Sequence, residues 1–308
     1  ITLCFAVGLG IGSGAAWLWE SWLQVEVTRA ILYGMTLAFL IVALLLYAHL
    51  KSFFRITTEK RTGITGYLKK YPGLFLTNLF YVLGLYGHNF VFWTTDLQLK
   101  VAKVFLSAPS YDMAGCLAMF SNITCLVIFM TRVETEFAGK YQVYCSAVIR
   151  GSRAEIITAR RAMMRVMKDE IFFLLRIQFV ITTVIFLAAM LVLPRLGFGG
   201  LVLRMYPALS AGYLVTFAMY ALIIFLFYFD DRVGSMMTAL VFCAGTAVCS
   251  IAATGLERPL AGFGLFGGAM LGWTAGFFRL VYIQKHLDHF AFCRGSVMPV
   301  SKKGTQET

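Results

Sequence analysis

The chain is 308 residues long, 59% hydrophobic and only 14% charged, with a mean hydropathy of +0.77. Soluble domains carry about 45–50% apolar and about 25% charged residues, so a soluble fold is excluded and an integral membrane protein is expected. The net charge of +12 does not point to nucleic acid, because Lys and Arg cluster between apolar runs, where retention on the cytoplasmic side accounts for them.

In chain order, Ile1 opens a Gly-rich apolar stretch that no basic n-region precedes. This is not a signal peptide, and an N-terminal portion is expected to be missing. A spanning helix needs about 20 mostly apolar residues. Eight segments qualify in whole or in part: 1–18, 29–50, 72–93, 113–131, 171–193, 204–228, 234–254 and 260–282. Open β-structure is excluded within lipid, where unpaired backbone groups are too costly. The fold class is therefore all-α, a polytopic membrane protein with about eight transmembrane helices.

Lys and Arg set the orientation. The 51–71 linker, the 132–170 segment, Arg232 and the end after 282 together hold nineteen, against five on the opposite loops. The first set is expected in the cytoplasm. Within 132–170, Phe137, Tyr141, Tyr144 and Val148 recur at helical spacing. Gly151 interrupts them, and Ser152-Arg153-Ala154-Glu155 reads as a capping box that opens a second helix. The helices at 113 and 171 are thus expected to run out of the membrane as a cytoplasmic hairpin around Gly151. Further on, Gly262, Gly264, Gly267, Gly268 and Gly272 make 260–282 a helix that packs closely.

Several polar groups stand out. Tyr86, His88, Asn89, Trp93 and Asp96 lie at the end of the 72–93 helix, and Tyr111 and Asp112 open the next. Polar groups within a span usually face a bundle interior or a wet cavity, although an aromatic belt and a helix N-cap account for Trp93 and Asp112 equally well. At the other end, Arg132, Glu136 and Lys140 share a helical face as an i,i+4 ladder, while Glu134 points elsewhere. Arg176, inside an apolar run, either snorkels to the interface or pairs with Glu134 or Glu136. Asp230, Asp231 and Arg232 read as a turn, as do Glu257, Arg258 and Pro259. His286 and His289 lack a third ligand, and the seven cysteines show no C-x-x-C spacing. No P-loop, H-E-x-x-H or G-x-S-x-G motif is present. Neither metal nor cofactor is implied, and an enzyme is not expected.

The stretches "YPGLFLTNLFYVLGLYGHNFVFW" (71–93), "SAPSYDMAGCLAMFSNI" (107–123) and "MTRVETEFAGKYQVY" (130–144) follow in this order and spacing. The arrangement resembles the PelG family, the membrane transporter of Pel exopolysaccharide biosynthesis, which is similar to polysaccharide flippases of the multidrug/oligosaccharidyl-lipid/polysaccharide superfamily. The resemblance implies a twelve-helix, two-lobed, alternating-access transporter in the bacterial inner membrane. Residues 1–50 would be the last two helices of the first lobe, and 51–71 a basic linker. Residues 72–282 would form the second lobe with its hairpin at 132–170, and 283–308 a cytoplasmic tail. Its implied substrate is an amino-sugar-containing polysaccharide, and its implied partners are a cytoplasmic glycosyltransferase and other membrane subunits of the synthase complex. Tyr86, His88, Asn89, Trp93, Asp96, Tyr111 and Asp112 would line the substrate path. Arg132, Glu134, Glu136 and Arg176 would form gating ion pairs. A non-transporting scaffold that docks the glycosyltransferase is the competing reading.

Overall fold

The computed structural model describes residues 2–24, 26–53, 66, 71–101, 105–198, 200–255, 260 and 262–287. Arg55, Lys60, Arg61, Lys69 and Lys70 of the linker, the Glu257-Arg258-Pro259 turn, His289 and the tail beyond it lie outside the described residues.

The chain divides into two units, Ile1–Tyr67 and Leu68–Thr308. The first is a helical hairpin of α1 (Thr2–Leu23) and α2 (Val27–Phe53). Its helices meet along Gly12, Ala16, Gly34 and Ala38, small residues that let two backbones approach and gain dispersion contacts that lipid does not supply. Trp19 and Tyr33 close the hairpin edge to face, with ring centroids 6.0 Å apart.

The second unit contains α3 (Pro72–Phe92), α4 (Pro109–Arg132), a π-helix (Val133–Phe137), α5 (Ala138–Arg150), α6 (Arg153–Val192), α7 (Gly200–Tyr228), α8 (Arg232–Thr254) and α9 (Phe263–Lys285). Pro72 and Pro109 sit in the first turns of α3 and α4, where the missing N–H is no loss. The pattern of α4, π-helix and α5 makes one helical path of 42 residues, Pro109–Arg150. Gly151 breaks it in extended geometry, and α6 starts on the expected capping box: Ser152 Oγ accepts from the Glu155 N–H, and Glu155 accepts from the Ser152 N–H at 2.7 Å.

Helices stand at all eight expected positions, and six of them are long and apolar enough to cross a membrane. The two outside that set are α3 and α9. Asn78, His88, Asn89 and three glycines dilute the hydropathy of α3, while five glycines and Arg279 dilute that of α9. A count of eight spans is therefore not established. A short antiparallel ribbon, β1 (Leu99–Val101) with β2 (Phe105–Ser107), joins α3 to α4 and was not expected from the sequence. Three-residue strands are too brief for periodicity to reveal.

Helix α7 is the axis of this unit. It is buried over most of its length, packs against α4, α6, α8 and α9, and carries Pro207 in its interior. Around it lie two cores. One, toward the ribbon, contains Phe92, Tyr111, Tyr206, Tyr213 and Phe242. The other, toward the Gly151 turn, contains Phe129, Phe137, Met167, Phe225 and Phe229.

The closest helix pair is α8 and α9. A Cβ on Gly264 would stand 2.6 Å from Ser250 Cα, and one on Gly268 would collide with the Thr246 backbone. Real atoms do not approach so closely, so the helices would have to separate. Gly268→Val is expected to destabilise the protein by about 1–3 kcal/mol, the usual cost of overpacking. Gly87→Ala, at a position with open space, serves as the control. Thermal unfolding in detergent, followed by size-exclusion chromatography, reads the difference.

Candidate functional site

Polar groups gather at both ends of the second unit. Toward the ribbon, α3 delivers His88 fully buried, and its Nδ1 stands 2.8 Å from the Tyr111 hydroxyl at the start of α4. Tyr111 in turn stacks on Phe92, with centroids 4.2 Å apart. His88 Nε2 and Asn89 Oδ1 are buried without a hydrogen-bond partner among the described residues. The Trp93 indole N–H donates to both Asp112 oxygens at 3.1 and 3.0 Å, and the Ala108 backbone N–H donates to Asp112 Oδ2 at 3.1 Å. Ala108 is the N-cap residue of α4. Asp112 therefore sits one turn inside the helix, satisfying a backbone donor and the positive helix end. Tyr86 and Asp96 are exposed.

Toward the Gly151 turn, the expected ladder makes no ion pair among the described residues: neither Arg132 nor Lys140 reaches Glu136. The π-helix begins directly after Arg132, and its wider turn removes the i,i+4 register on which the ladder depends. Arg132 instead forms a two-pronged pair with Glu170 of α6, Nε to Oε2 at 2.7 Å and Nη2 to Oε1 at 2.6 Å. The Glu170 side chain is only 5% exposed. The guanidinium also lies 4.1 Å from the Phe173 ring centroid, so charge pairing and a cation–π contact hold it together. Glu134, Glu136 and Arg176 are exposed, and none forms an ion pair among the described residues. The pairing of Arg176 with Glu134 or Glu136 is thus not made.

A second buried pair went unrecognised in the sequence. Asp231, expected as a turn residue, is fully buried, and Arg279 of α9 grips it with bonds of 2.6 and 2.9 Å. Next to it, Asp230 takes a positive φ of 50°, a backbone region that Asp tolerates better than most residues, and binds Arg232 at 2.7 Å. Gly234 admits the buried pair: a Cβ there would overlap Asp231 and stand 2.7 Å from Arg279 Nε. No local signal identifies Glu170 or Arg279 as partners. Each lies 38 or more residues from the group it binds, and only an acidic or basic residue inside an apolar helical stretch hints at either.

Between these ends, an amide network crosses the bundle interior. Asn122 Nδ2 donates to the Tyr213 carbonyl at 3.0 Å, and Gln178 Nε2 donates to Asn122 Oδ1 at 2.7 Å and to Thr182 at 3.1 Å. His286 Nδ1 lies 3.1 Å from the Tyr282 carbonyl oxygen. Among the described residues, no three His, Cys, Asp or Glu side chains cluster as a metal site would require.

An all-α, polytopic membrane protein with charges paired between its helices is the class that these elements define. Residues 1–292 match the family described as "PelG: Putative exopolysaccharide Exporter (EPS-E)". The chain belongs to the PelG family, an exopolysaccharide exporter family, which implies a polysaccharide substrate and a membrane context. No match was found among curated proteins or among solved structures.

Removing one partner of a buried pair strands the other's charge. Arg279→Met is expected to cost about 3 kcal/mol, the lower end for a buried pair because the arginine is partly solvated. The double variant Arg279→Met with Asp231→Asn is expected to recover part of that loss. Chemical unfolding in detergent micelles supplies the double-mutant cycle. The exposed Asp230–Arg232 pair, at 44% and 41% side-chain exposure, is expected to contribute about 0–1 kcal/mol.

Proposed function

We propose that the protein translocates an amino-sugar-containing exopolysaccharide of the Pel type across the bacterial inner membrane by flippase-like alternating access. The observation that carries this reading is the Arg132–Glu170 pair, formed at a π-helix in the middle of a 42-residue helical path. Alternating access needs an element with two discrete arrangements. A π-helix is a place where a helix changes register, and a buried ion pair beside it favours one register over another. In this reading Glu170 takes the gating role that the family resemblance had suggested for Glu134 and Glu136. The cluster of His88, Asn89, Trp93, Tyr111 and Asp112 offers hydroxyl, amide and aromatic partners to a glycan at the opposite end, with Tyr86 and Asp96 exposed nearby.

The scaffold reading draws on a different observation. Between α5 and α6 lies a groove of about 690 Å³, floored by Ala147, Ala154 and Ala159 and edged by Lys140, Arg150 and Glu155. Small residues with charged rims suit a docked helix of a cytoplasmic glycosyltransferase.

Glu170→Gln weakens a charge-assisted pair by about 1.5–3 kcal/mol, so export in a cell that makes the polymer is expected to change by about tenfold or more. Glu134→Gln and Glu136→Gln are expected to leave export at the parental level. Quantifying secreted polymer against the amount of protein in the membrane checks both. If Glu170→Gln exports normally, the gate is elsewhere. If Ala147→Trp in the groove abolishes both export and co-purification of the glycosyltransferase, the scaffold reading gains.

A further inference from the structure

Helix α3 packs on α8 while α4 packs on α7, and α3 and α4 barely touch each other. The divergence leaves a half-open cavity of about 180 Å³ between them, with α7 as its floor. Three of its walls are tyrosines, Tyr81 from α3 and Tyr213 and Tyr220 from α7, joined by Asn122 from α4 and by Leu85 and Phe217. The rings of Tyr81 and Tyr220 are 5.0 Å apart and tilted by 40°, so they form a shallow aromatic cleft and not a closed stack.

The polar groups of this cavity are held in place. Asn122 spends one amide proton on the Tyr213 carbonyl, and its oxygen receives Gln178. An amide nitrogen carries two protons, so one remains for an occupant. The hydroxyls of Tyr81, Tyr213 and Tyr220 have no hydrogen-bond partner among the described residues. No lining residue carries a charge. The cavity is half-open and its walls are mostly apolar, with Met119, Ile123 and Leu126 beside the tyrosine rings, so an occupant must offer an apolar face as well as polar edges.

We infer that the cavity binds a single uncharged pyranose ring of the exported glycan, a proposal that rests on the export reading and locates one sugar along the path. Its volume equals that of about six waters at roughly 30 Å³ each, enough for one six-membered sugar ring and too small for two. The tyrosine faces meet the ring's C–H face, and the amide proton and phenol hydroxyls meet its hydroxyl edge. A protonated amino sugar is disfavoured, because no carboxylate lines the cavity and an unpaired ammonium there would be desolvated without compensation. Neutral and cationic units of one polymer would therefore be distinguished here, with carboxylates such as Asp96 and Asp112 left to the cationic ones.

The chain reconstituted in phosphatidylethanolamine–phosphatidylglycerol nanodiscs is titrated with maltotriose, N-acetylated chitotriose and fully de-N-acetylated chitotriose. Equilibrium dialysis gives the affinity, and saturation-transfer NMR shows which sugar protons contact the protein. At least one neutral trisaccharide is expected to bind, with the cationic one about tenfold weaker. Tyr220→Ala is expected to weaken neutral binding about tenfold by removing one stacking face. Tyr81→Phe, which keeps ring and volume, is expected to weaken it about threefold, and it guards against misfolding as the cause. Neutral binding that both variants leave unchanged overturns the subsite, as does absent sugar binding with tyrosine fluorescence quenched by brominated acyl chains, which would make the occupant lipid. Either result leaves the export reading standing. That reading fails separately if cells lacking the protein still secrete the polymer.

Discussion

A carboxylate buried inside a protein needs a partner for its charge, and the second unit is arranged around that constraint. Glu170 and Asp231 are buried carboxylates, and each is gripped at two points by an arginine from another helix. The guanidinium fork matches the carboxylate and fixes direction as well as distance. Arg132–Glu170 ties α4 to α6 just before the long hairpin begins, and Arg279–Asp231 ties the start of α8 to the last turns of α9. Both clamps lie at the end of the unit that carries the Gly151 turn. Packing accommodates them: Gly234 leaves room for the second pair, and Gly276, one turn before Arg279, lies close against Thr238 of α8.

The opposite end is held by neutral or singly charged hydrogen bonds. His88 with Tyr111 and Trp93 with Asp112 link α3 to α4 where these helices are joined by the ribbon. Such contacts are weaker than a two-pronged ion pair. The two ends therefore differ in how firmly they are closed. Between them, α3 and α4 follow different neighbours and open the tyrosine-lined cavity, so the cavity is a product of helix packing and not of any single helix.

Much of the local architecture was legible. The helical segments, the hairpin and the Ser152–Glu155 capping box follow from apolar run length, periodicity and cap chemistry, all of which act within a few residues. The π-helix was not legible, since Val133–Phe137 has no residue that marks it, and it displaced the charge ladder expected from i,i+4 spacing. Arg132 stood out as a charge at the end of an apolar run, but the partner that spacing suggested lies four residues away and the one it binds lies 38 away. Asp231 was set aside because an Asp-Asp-Arg run between two apolar stretches looks like an ordinary turn. Its burial depends on Arg279, which no local pattern connects to it.

The sequence by itself determined that the protein is an all-α, multi-pass membrane protein, where most helices begin and end, and to which family it belongs. These are matters of composition, of short-range hydrogen bonding and of motif order. Only the tertiary structure decided which charges meet, that Glu170 and not Glu136 faces Arg132, and that Tyr81, Asn122, Tyr213 and Tyr220 surround one cavity. The reason is physical: helices in lipid associate through close backbone approach and interhelical polar contacts, and those depend on which faces of distant segments come together.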